Sequence, residues 1–152
     1  MIGEDTLDAV MAVMDAGFDP HWREAWTREQ VRDSLEMPST FLLLADRTAK
    51  PIRSGAAVGF VLSRQALDEE ELLLIAVTPE ERGQGIGGRI LGDYLLAARA
   101  RGVRRVFLEM RANNPVRSLY TRHGFVPIGT RPRYYRTSDG QALDAITFAR
   151  HL

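Results

Sequence analysis

A glycine-rich segment, Arg-Gly-Gln-Gly-Ile-Gly-Gly at residues 82–88, constrains this chain more than any other feature. It lies between an apolar run at residues 72–77 and a pattern of helical periodicity at residues 86–101. Glycine permits positive φ angles and close backbone approach, and the first amide groups of a helix have no acceptor inside that helix. These amides and the positive end of the helix dipole attract anions, so the segment predicts a phosphate-binding loop.

Two common nucleotide motifs fit this segment only in part. A Walker loop has the spacing of Gly83 and Gly88, but Arg and Ile follow where Lys and a Mg²⁺-binding hydroxyl are required. The dinucleotide motif G-x-G-x-x-G is formally present, with Gly85 as its second glycine and Glu109 further on. However, five residues separate it from the preceding strand, and the 43 residues after Glu109 leave little room for further βαβ units.

A third motif, R/Q-x-x-G-x-G/A, matches Arg82, Gly85 and Gly87, after a strand and a Thr-Pro turn. With the segments that follow, the chain resembles the GNAT superfamily of acyl-CoA N-acyltransferases over residues 72–146. The resemblance is nearest to its bacterial branch that acetylates the N-terminal α-amine of ribosomal proteins. The further matching segments are Leu108-Glu109-Met110-Arg111, Asn113-Asn114, Leu119-Tyr120, Gly124-Phe125, Arg133-Tyr134-Tyr135 and Ser138-Asp139-Gly140.

The resemblance implies the GNAT fold, an α/β (α+β) architecture with a mixed, splayed central sheet flanked by about four helices. The predicted element order agrees with it: two helices, three strands, a helix, a strand, a helix and two strands. With 152 residues, 45% of them hydrophobic, and no long linker, we expect one domain over residues 1–152. The family's first strand would have to lie within residues 1–5.

Local signals predict where the elements begin and end. Asp5 or Thr6 can cap a first helix from Leu7, and Thr27 with Gln30 forms a capping box for a second. The acidic run at residues 68–71 is expected to be a solvated turn. We expect strands at residues 41–45, 57–63, 72–77, 103–110, 125–133 and 142–148, with helices at residues 86–101 and 115–123 between them.

The resemblance implies that the chain binds acetyl-CoA as acyl donor through backbone groups and one asparagine. Counting back from Tyr120 selects Asn113 for the pantetheine arm, whereas counting forward from Glu109 selects Asn114; we prefer Asn113. The implied pantetheine strand is Ile75, Ala76 and Val77, and the implied pyrophosphate loop is Arg82, Gly83, Gln84, Gly85, Ile86, Gly87 and Gly88.

Acetyl transfer to an amine needs a base that removes the proton of the ammonium form. At pH 7 this costs roughly 1.3 kcal/mol for an α-amine of pKa about 8, and roughly 4.6 kcal/mol for a lysine of pKa about 10.4. Glu109 is the only carboxylate between Asp93 and Asp139, and it aligns with the general base of the family. The alternative is a glutamate that only pairs with Arg111 or another neighbour.

Tyr120 lies in the Leu-Tyr pair where the family places the general acid for the CoA thiolate; the alternative is a ring that only packs in the core. Tyr134 and Tyr135 resemble the aromatic pair that lines the peptide pocket in N-terminal acetyltransferases, although strand tyrosines are also common for structural reasons. Trp22 and Trp26 are candidates for the acceptor entrance, with burial in the core as the alternative.

Composition excludes several other chemistries. The absence of cysteine excludes disulfides, thiolate metal clusters and a cysteinyl acyl-enzyme, so transfer should be direct. Three scattered histidines predict no metal site. No signal peptide or 18-residue apolar span is visible, which predicts a cytoplasmic protein without a membrane partner.

Charge is uneven along the chain, although the formal net charge is zero. The first 81 residues carry 16 acidic and 7 basic side chains, whereas the remaining residues carry 4 and 13. The second half therefore favours polyanions, but its dispersed arginines do not form a known nucleic-acid-binding module. The resemblance to the family implies that the acceptor is a protein or peptide N-terminus such as that of a ribosomal protein. Small-molecule amines, lysine, or a non-catalytic CoA sensor are the alternatives.

Overall fold

The computed structural model describes residues 3–152 as one seven-stranded sheet with four α-helices. Its strand order is β2-β1-β3-β4-β5-β7-β6. Only β4 and β5 run parallel, so the sheet is mixed and the expected fold class is confirmed. The elements are α1 (Glu4–Gly17), a 3₁₀ turn (Pro20–Trp22), α2 (Arg28–Leu35), β1 (Thr40–Ala45), β2 (Pro51–Ile52), β3 (Gly59–Ala66), β4 (Glu69–Val77), a 3₁₀ turn (Pro79–Glu81), α3 (Ile86–Ala100), β5 (Arg105–Arg111), α4 (Arg117–Arg122), β6 (Val126–Arg136) and β7 (Ala142–His151).

The sheet opens between β4 and β5, in its middle. These strands pair only where Glu69–Glu71 lies beside Arg105–Phe107, whereas β4 remains paired with β3 as far as Val77. The register between β3 and β4 shifts by one residue at Leu73, which makes Leu73 a β-bulge. Because a bulge bends its strand and increases the local twist, β4 turns away from β5 after their last pair. The second half of β4 therefore faces a cleft.

Helices cover both faces of the sheet. One hydrophobic cluster contains buried residues of α1 and α2, and the other contains those of α3. Strand β4 contributes to both clusters, because Leu72 packs in the α3 cluster and Leu74 in the α1 cluster. Residues two apart on a strand normally share a face, and the bulge between these two explains the exception. The apolar face predicted for α3 is buried as expected, at Ile86, Ile90, Leu91, Tyr94, Leu95 and Ala98.

The predicted start of α2 is confirmed, whereas α1 starts three residues earlier than predicted. Thr27 and Gln30 form both hydrogen bonds of the capping box. For α1 the N-cap is Gly3, and Thr6, one of the predicted caps, donates its hydroxyl to the carbonyl of Arg53 instead. The earlier start places the charge of Asp5, the other predicted cap, inside the first turn, where the helix dipole favours a negative charge.

Two further predictions concern short strands. The segment between β1 and β3, in which no strand was predicted, contains β2, which pairs with β1. A first strand of the family would have to lie within residues 1–5, but α1 already occupies residues 4 and 5. Met1 and Ile2 lie outside the described residues.

The acidic run at residues 68–71 is not a solvated turn. Its last three residues begin β4, and the Glu70 side chain is fully buried. Glu70 accepts hydrogen bonds from the hydroxyls of Ser63 and Tyr94 and forms an ion pair with Arg101, Nη2 to Oε2, at 2.7 Å. These partners offset the desolvation of the carboxylate. They come from β3 and α3, so local sequence gave no sign of the burial.

Candidate active site

The cleft between β4 and β5 forms a cavity of about 1160 Å³. Its walls are the second half of β4, the end of β5, the start of α3, the segment around α4 and the loop between α1 and α2. All of the predicted site residues except Gln84 and Tyr134 line this cavity. The fold therefore brings together residues that lie far apart in the sequence.

The glycine loop leads into α3 with two left-handed residues. Gly83 and Gly85 each have a φ of 80°, a conformation in which a side chain is strained. Gly85 is the N-cap of α3 and has no side chain to accept a hydrogen bond. The amides of Ile86, Gly87 and Gly88, in the first turn, are therefore uncapped at the edge of the cavity. This geometry suits a phosphate group.

Arg82 has a structural role in addition to its place in the loop. Its Nε donates to the carbonyl of Val77 at 3.0 Å, and its Nη2 donates to the carbonyl of Gly17 at 2.7 Å. The guanidinium thus joins the end of α1 to the end of β4. Because these bonds direct the guanidinium to protein carbonyls, we expect the backbone of Arg82 to be the part that contacts a ligand.

Glu109 lies on β5 and lines the cavity. Its side chain is 20% exposed and pairs with Arg131 on β6, with Nε 3.0 Å from Oε2. The hydroxyl of Thr147 donates to the same oxygen at 3.4 Å. The sequence had suggested Arg111 or another neighbour as its partner. Arg111 instead pairs with Glu24.

Tyr120 lies on α4 and is buried against Phe125, with the two ring centroids 5.5 Å apart. Within residues 3–152 its hydroxyl makes no hydrogen bond, although the residue lines the cavity. Burial, assisted by the negative charge of Glu24, raises the pKa of Tyr120 above its ordinary value. The phenol therefore keeps its proton at neutral pH and can serve as a donor.

The two asparagines before α4 have different partners. The Oδ1 of Asn114 accepts from the amide of Val116 at 3.0 Å, close to the start of α4. The Oδ1 of Asn113 accepts from Nη1 of Arg111 at 2.9 Å. Because arginine only donates, this bond fixes the orientation of the Asn113 amide and leaves its NH₂ group for a ligand carbonyl. The bond from Val116 leaves the NH₂ group of Asn114 free in the same way, so the preference for Asn113 as the pantetheine contact stays a prediction.

Only one of the two predicted acceptor tyrosines lines the cavity. Tyr135 does so, and burial, assisted by the charges of Glu109 and Glu24, raises the pKa of Tyr135 to about 12. Tyr134 is 52% exposed and stands edge-on to Tyr135, with centroids 5.4 Å apart. Neighbouring strand residues point to opposite faces of a sheet, which explains why the pair is divided.

The loop between α1 and α2, residues 18–27, adds residues that the sequence interpretation did not identify. Glu24 lines the cavity together with both tryptophans, Trp22 and Trp26. Glu24 pairs with Arg111 at 3.1 Å, Oε1 to Nε, and the Arg111 guanidinium lies 3.8 Å from the centroid of the Trp22 ring. The sequence had pointed to Trp22 and Trp26, which do line the cavity, but not to Glu24.

Neither a metal site nor a membrane span is found in the described part of the chain. Residues 3–152 contain no group of three or more side chains suited to hold a metal ion. None of the helices there is long and apolar enough to cross a bilayer.

Comparison with known proteins identifies relatives of this arrangement. Residues 38–127 match the model of the acetyltransferase (GNAT) domain. A [ribosomal protein bS18]-alanine N-acetyltransferase of Haemophilus influenzae is 33% identical over 103 residues, which cover 68% of this chain and 70% of that protein.

Two crystal structures superimpose on nearly the whole chain. The ribosomal-protein-S18-alanine N-acetyltransferase of Escherichia coli aligns with a TM-score of 0.81 at 27% identity, covering 95% of this chain and 86% of that one. The ribosomal-protein-alanine N-acetyltransferase of Brucella melitensis aligns with a TM-score of 0.78 at 25% identity, covering 99% and 96%.

Proposed function

This chain belongs to the GNAT family of acetyl-CoA-dependent N-acetyltransferases, and we propose that its acceptor is the N-terminal α-amine of a protein, with a ribosomal protein as the first candidate. The observation that supports the proposal is that one cavity is lined by Glu109, Tyr120 and Tyr135. The names of the Haemophilus and Escherichia relatives support the choice of acceptor.

The donor half of the cavity suits acetyl-CoA in size and in polarity. The uncapped amides of Ile86, Gly87 and Gly88 would hold the pyrophosphate, with the helix dipole adding a favourable field. Between Ile75 and Val77 the backbone of β4 has no strand on its β5 side, so the amides and carbonyls that point to that side are available to the pantetheine arm. One of these amides would polarise the thioester carbonyl.

The acceptor half supplies a base and an aromatic wall. Glu109 would take the proton of the α-ammonium group, directly or through a water molecule. At neutral pH, deprotonation of an α-ammonium group costs about 3 kcal/mol less than deprotonation of a lysine. Tyr135 would frame the first residues of the peptide, and the loop of residues 18–27 would close the opposite side.

Tyr120 would complete the reaction as the general acid. As the amine attacks the thioester carbonyl, the carbon–sulfur bond breaks and the phenol donates its proton to the departing thiolate. The buried phenol remains protonated at neutral pH, and its hydroxyl has no competing partner within the described residues. Direct attack in a ternary complex is the expected route, since the chain has no cysteine to carry the acetyl group.

The test is a profile of acceptors with a thiol-reactive dye. Because the enzyme contains no cysteine, the dye detects only the CoA thiol that each turnover releases. The acceptors are a peptide library with varied first residues, the same peptides with a blocked N-terminus and an internal lysine, and small amines.

We expect turnover with free N-termini and little with the blocked peptides. A preference for lysine or for a small amine would overturn the proposed acceptor. CoA binding without release of thiol for any amine would favour a CoA-binding sensor.

A further inference from the structure

Arg111 lies at the junction between the two halves of the cavity. It is the last residue of β5, and its side chain is only 8% exposed. Nε binds Oε1 of Glu24 at 3.1 Å, Nη1 binds Oδ1 of Asn113 at 2.9 Å, and the guanidinium lies 3.8 Å from the centroid of the Trp22 ring. A buried guanidinium is stable only with such partners, because desolvation of a charge is costly.

The three partners of Arg111 belong to two different parts of the site. Asn113 precedes α4 and lies on the side that we assign to the pantetheine arm, whereas Glu24 and Trp22 belong to the loop of residues 18–27 on the acceptor side. The loop is also held at His21, whose carbonyl accepts from the amide of Ser138 and whose Nδ1 lies 3.3 Å from the Ser138 hydroxyl. At its two ends, Phe18 and Trp26 pack against the hydrophobic cluster of α1. Arg111 therefore holds the middle of the loop against the sheet.

We propose that Arg111 is a positioning residue that couples acetyl-CoA binding to the order of the acceptor loop, residues 18–27. The proposal rests on the proposed function in one respect, which is that the pantetheine arm passes Asn113. A ligand carbonyl that accepts from the Asn113 amide adds a second hydrogen bond to a side chain that Arg111 already orients, and so stabilises this arrangement. The amide oxygen in turn holds the guanidinium, and the guanidinium holds Glu24 and the face of Trp22.

The coupling is a matter of conformational entropy. If the cofactor has already ordered Arg111 and the loop, an acceptor peptide loses less freedom when it binds. Coupling free energies between two sites commonly change affinity by about 5-fold to 150-fold. Arginine suits this task and lysine does not, because only a planar guanidinium can donate in two directions and stack on an aromatic ring at the same time.

Hydrogen–deuterium exchange with CoA as the probe tests this coupling without any acceptor. In the wild-type protein we expect saturating CoA to slow exchange both in the glycine loop, residues 82–88, and in the acceptor loop, residues 18–27, the latter by about 5-fold or more. In Arg111→Ala, CoA should still protect the glycine loop but no longer the acceptor loop. Asn113→Ala should give the same separation, because it removes the contact on the cofactor side.

Arg105 provides a matched control on the same strand. It pairs with Glu69, and its guanidinium lies 5.6 Å from the centroid of the Phe107 ring, but it is at the other end of β5 from the cavity. Arg105→Ala should therefore keep CoA-dependent protection of both loops. If Arg111→Ala does not fold, Arg111→Lys retains the charge without the double contact and should show reduced protection of the acceptor loop.

Two results would overturn the proposal: no CoA-dependent protection of residues 18–27 in the wild-type protein, or the same protection in both Arg111 variants as in the wild type. Neither result depends on the acceptor. A failure to acetylate any N-terminal peptide would refute the proposed function and leave this measurement intact.

Discussion

Arg131 on β6 reaches across β7 to Glu109 on β5, with Nε 3.0 Å from Oε2. The contact ties the proposed base to the strand that carries Tyr135, the aromatic wall of the acceptor side. The base and this wall thus form one unit. Glu109 has a cationic partner in the free protein, so an incoming ammonium group must approach a carboxylate that is already paired.

Glu109→Gln should lower turnover most at neutral pH and recover in part as the pH rises above about 8. The reason is that an α-amine loses its own proton in that range and then needs no base. A pH profile of kcat with an N-terminal peptide measures the effect. Glu71→Gln is the control, because Glu71 pairs with Arg64 at 3.6 Å on the surface and does not line the cavity. A wild-type pH profile in Glu109→Gln would contradict the role of base.

Tyr120→Phe should reduce kcat by about 10² to 10⁴ while the stability of the fold hardly changes. The phenol makes no hydrogen bond within the described residues, so its removal leaves no buried partner unsatisfied. Tyr94→Phe is the reciprocal control. It removes the hydroxyl that donates to buried Glu70, far from the chemistry, and should cost about 1.5 to 3 kcal/mol of stability with kcat retained.

Urea unfolding and initial rates on both tyrosine variants separate the two effects. Full activity in Tyr120→Phe would remove Tyr120 from the mechanism.

Gly87→Val should raise the KM for acetyl-CoA about tenfold or more, which corresponds to about 1.4 kcal/mol of lost binding. A side chain there would project where the first-turn amides must meet a phosphate. A Cβ at Gly87 meets Leu119 and Val77 at ordinary contact distances of 3.7 Å, so the variant should fold. Gly92→Val, on the same helix with no atom within 4 Å of its Cβ, is the control and should keep a wild-type KM. Equal cofactor affinities in the two variants would refute the phosphate assignment.

The free energy of unfolding should fall as the pH rises above about 10. Burial, with the hydrogen bond to Glu70, raises the pKa of Tyr94, and burial raises the pKa of Tyr120. The unfolded chain ionises its tyrosines near pH 10, whereas these two stay protonated in the folded protein. The unfolded state then binds fewer protons, so stability decreases with a slope that approaches about 1.4 kcal/mol per pH unit for each such tyrosine near pH 11.

Urea titrations between pH 9 and pH 11 measure this slope. Tyr94→Phe should reduce it by one tyrosine's contribution, and an unchanged slope would show that Tyr94 ionises as readily in the folded protein as in the unfolded chain.

The order of the elements and most of the candidate site could be predicted from the sequence. Each prediction rested on a local signal: the glycines before α3, the apolar face of that helix, the capping box of Thr27 and Gln30, and the isolated carboxylate Glu109. Such signals are sufficient because helical periodicity, turns and caps depend on residues only a few positions apart. The resemblance to the family then predicted a chemical role for individual residues of the site.

The partners of the buried charges were decided by the tertiary structure alone. Glu70 lies within a run of acids that looks solvated, but Arg101 and Tyr94, on a helix that follows later in the chain, bury it. Glu24 and Arg111 are separated by 87 residues. The sequence by itself determined the helices, the strands other than β2 and the position of the glycine-rich loop, whereas the folded chain decided which charges meet, because a charge is stable in the core only beside partners that distant segments supply.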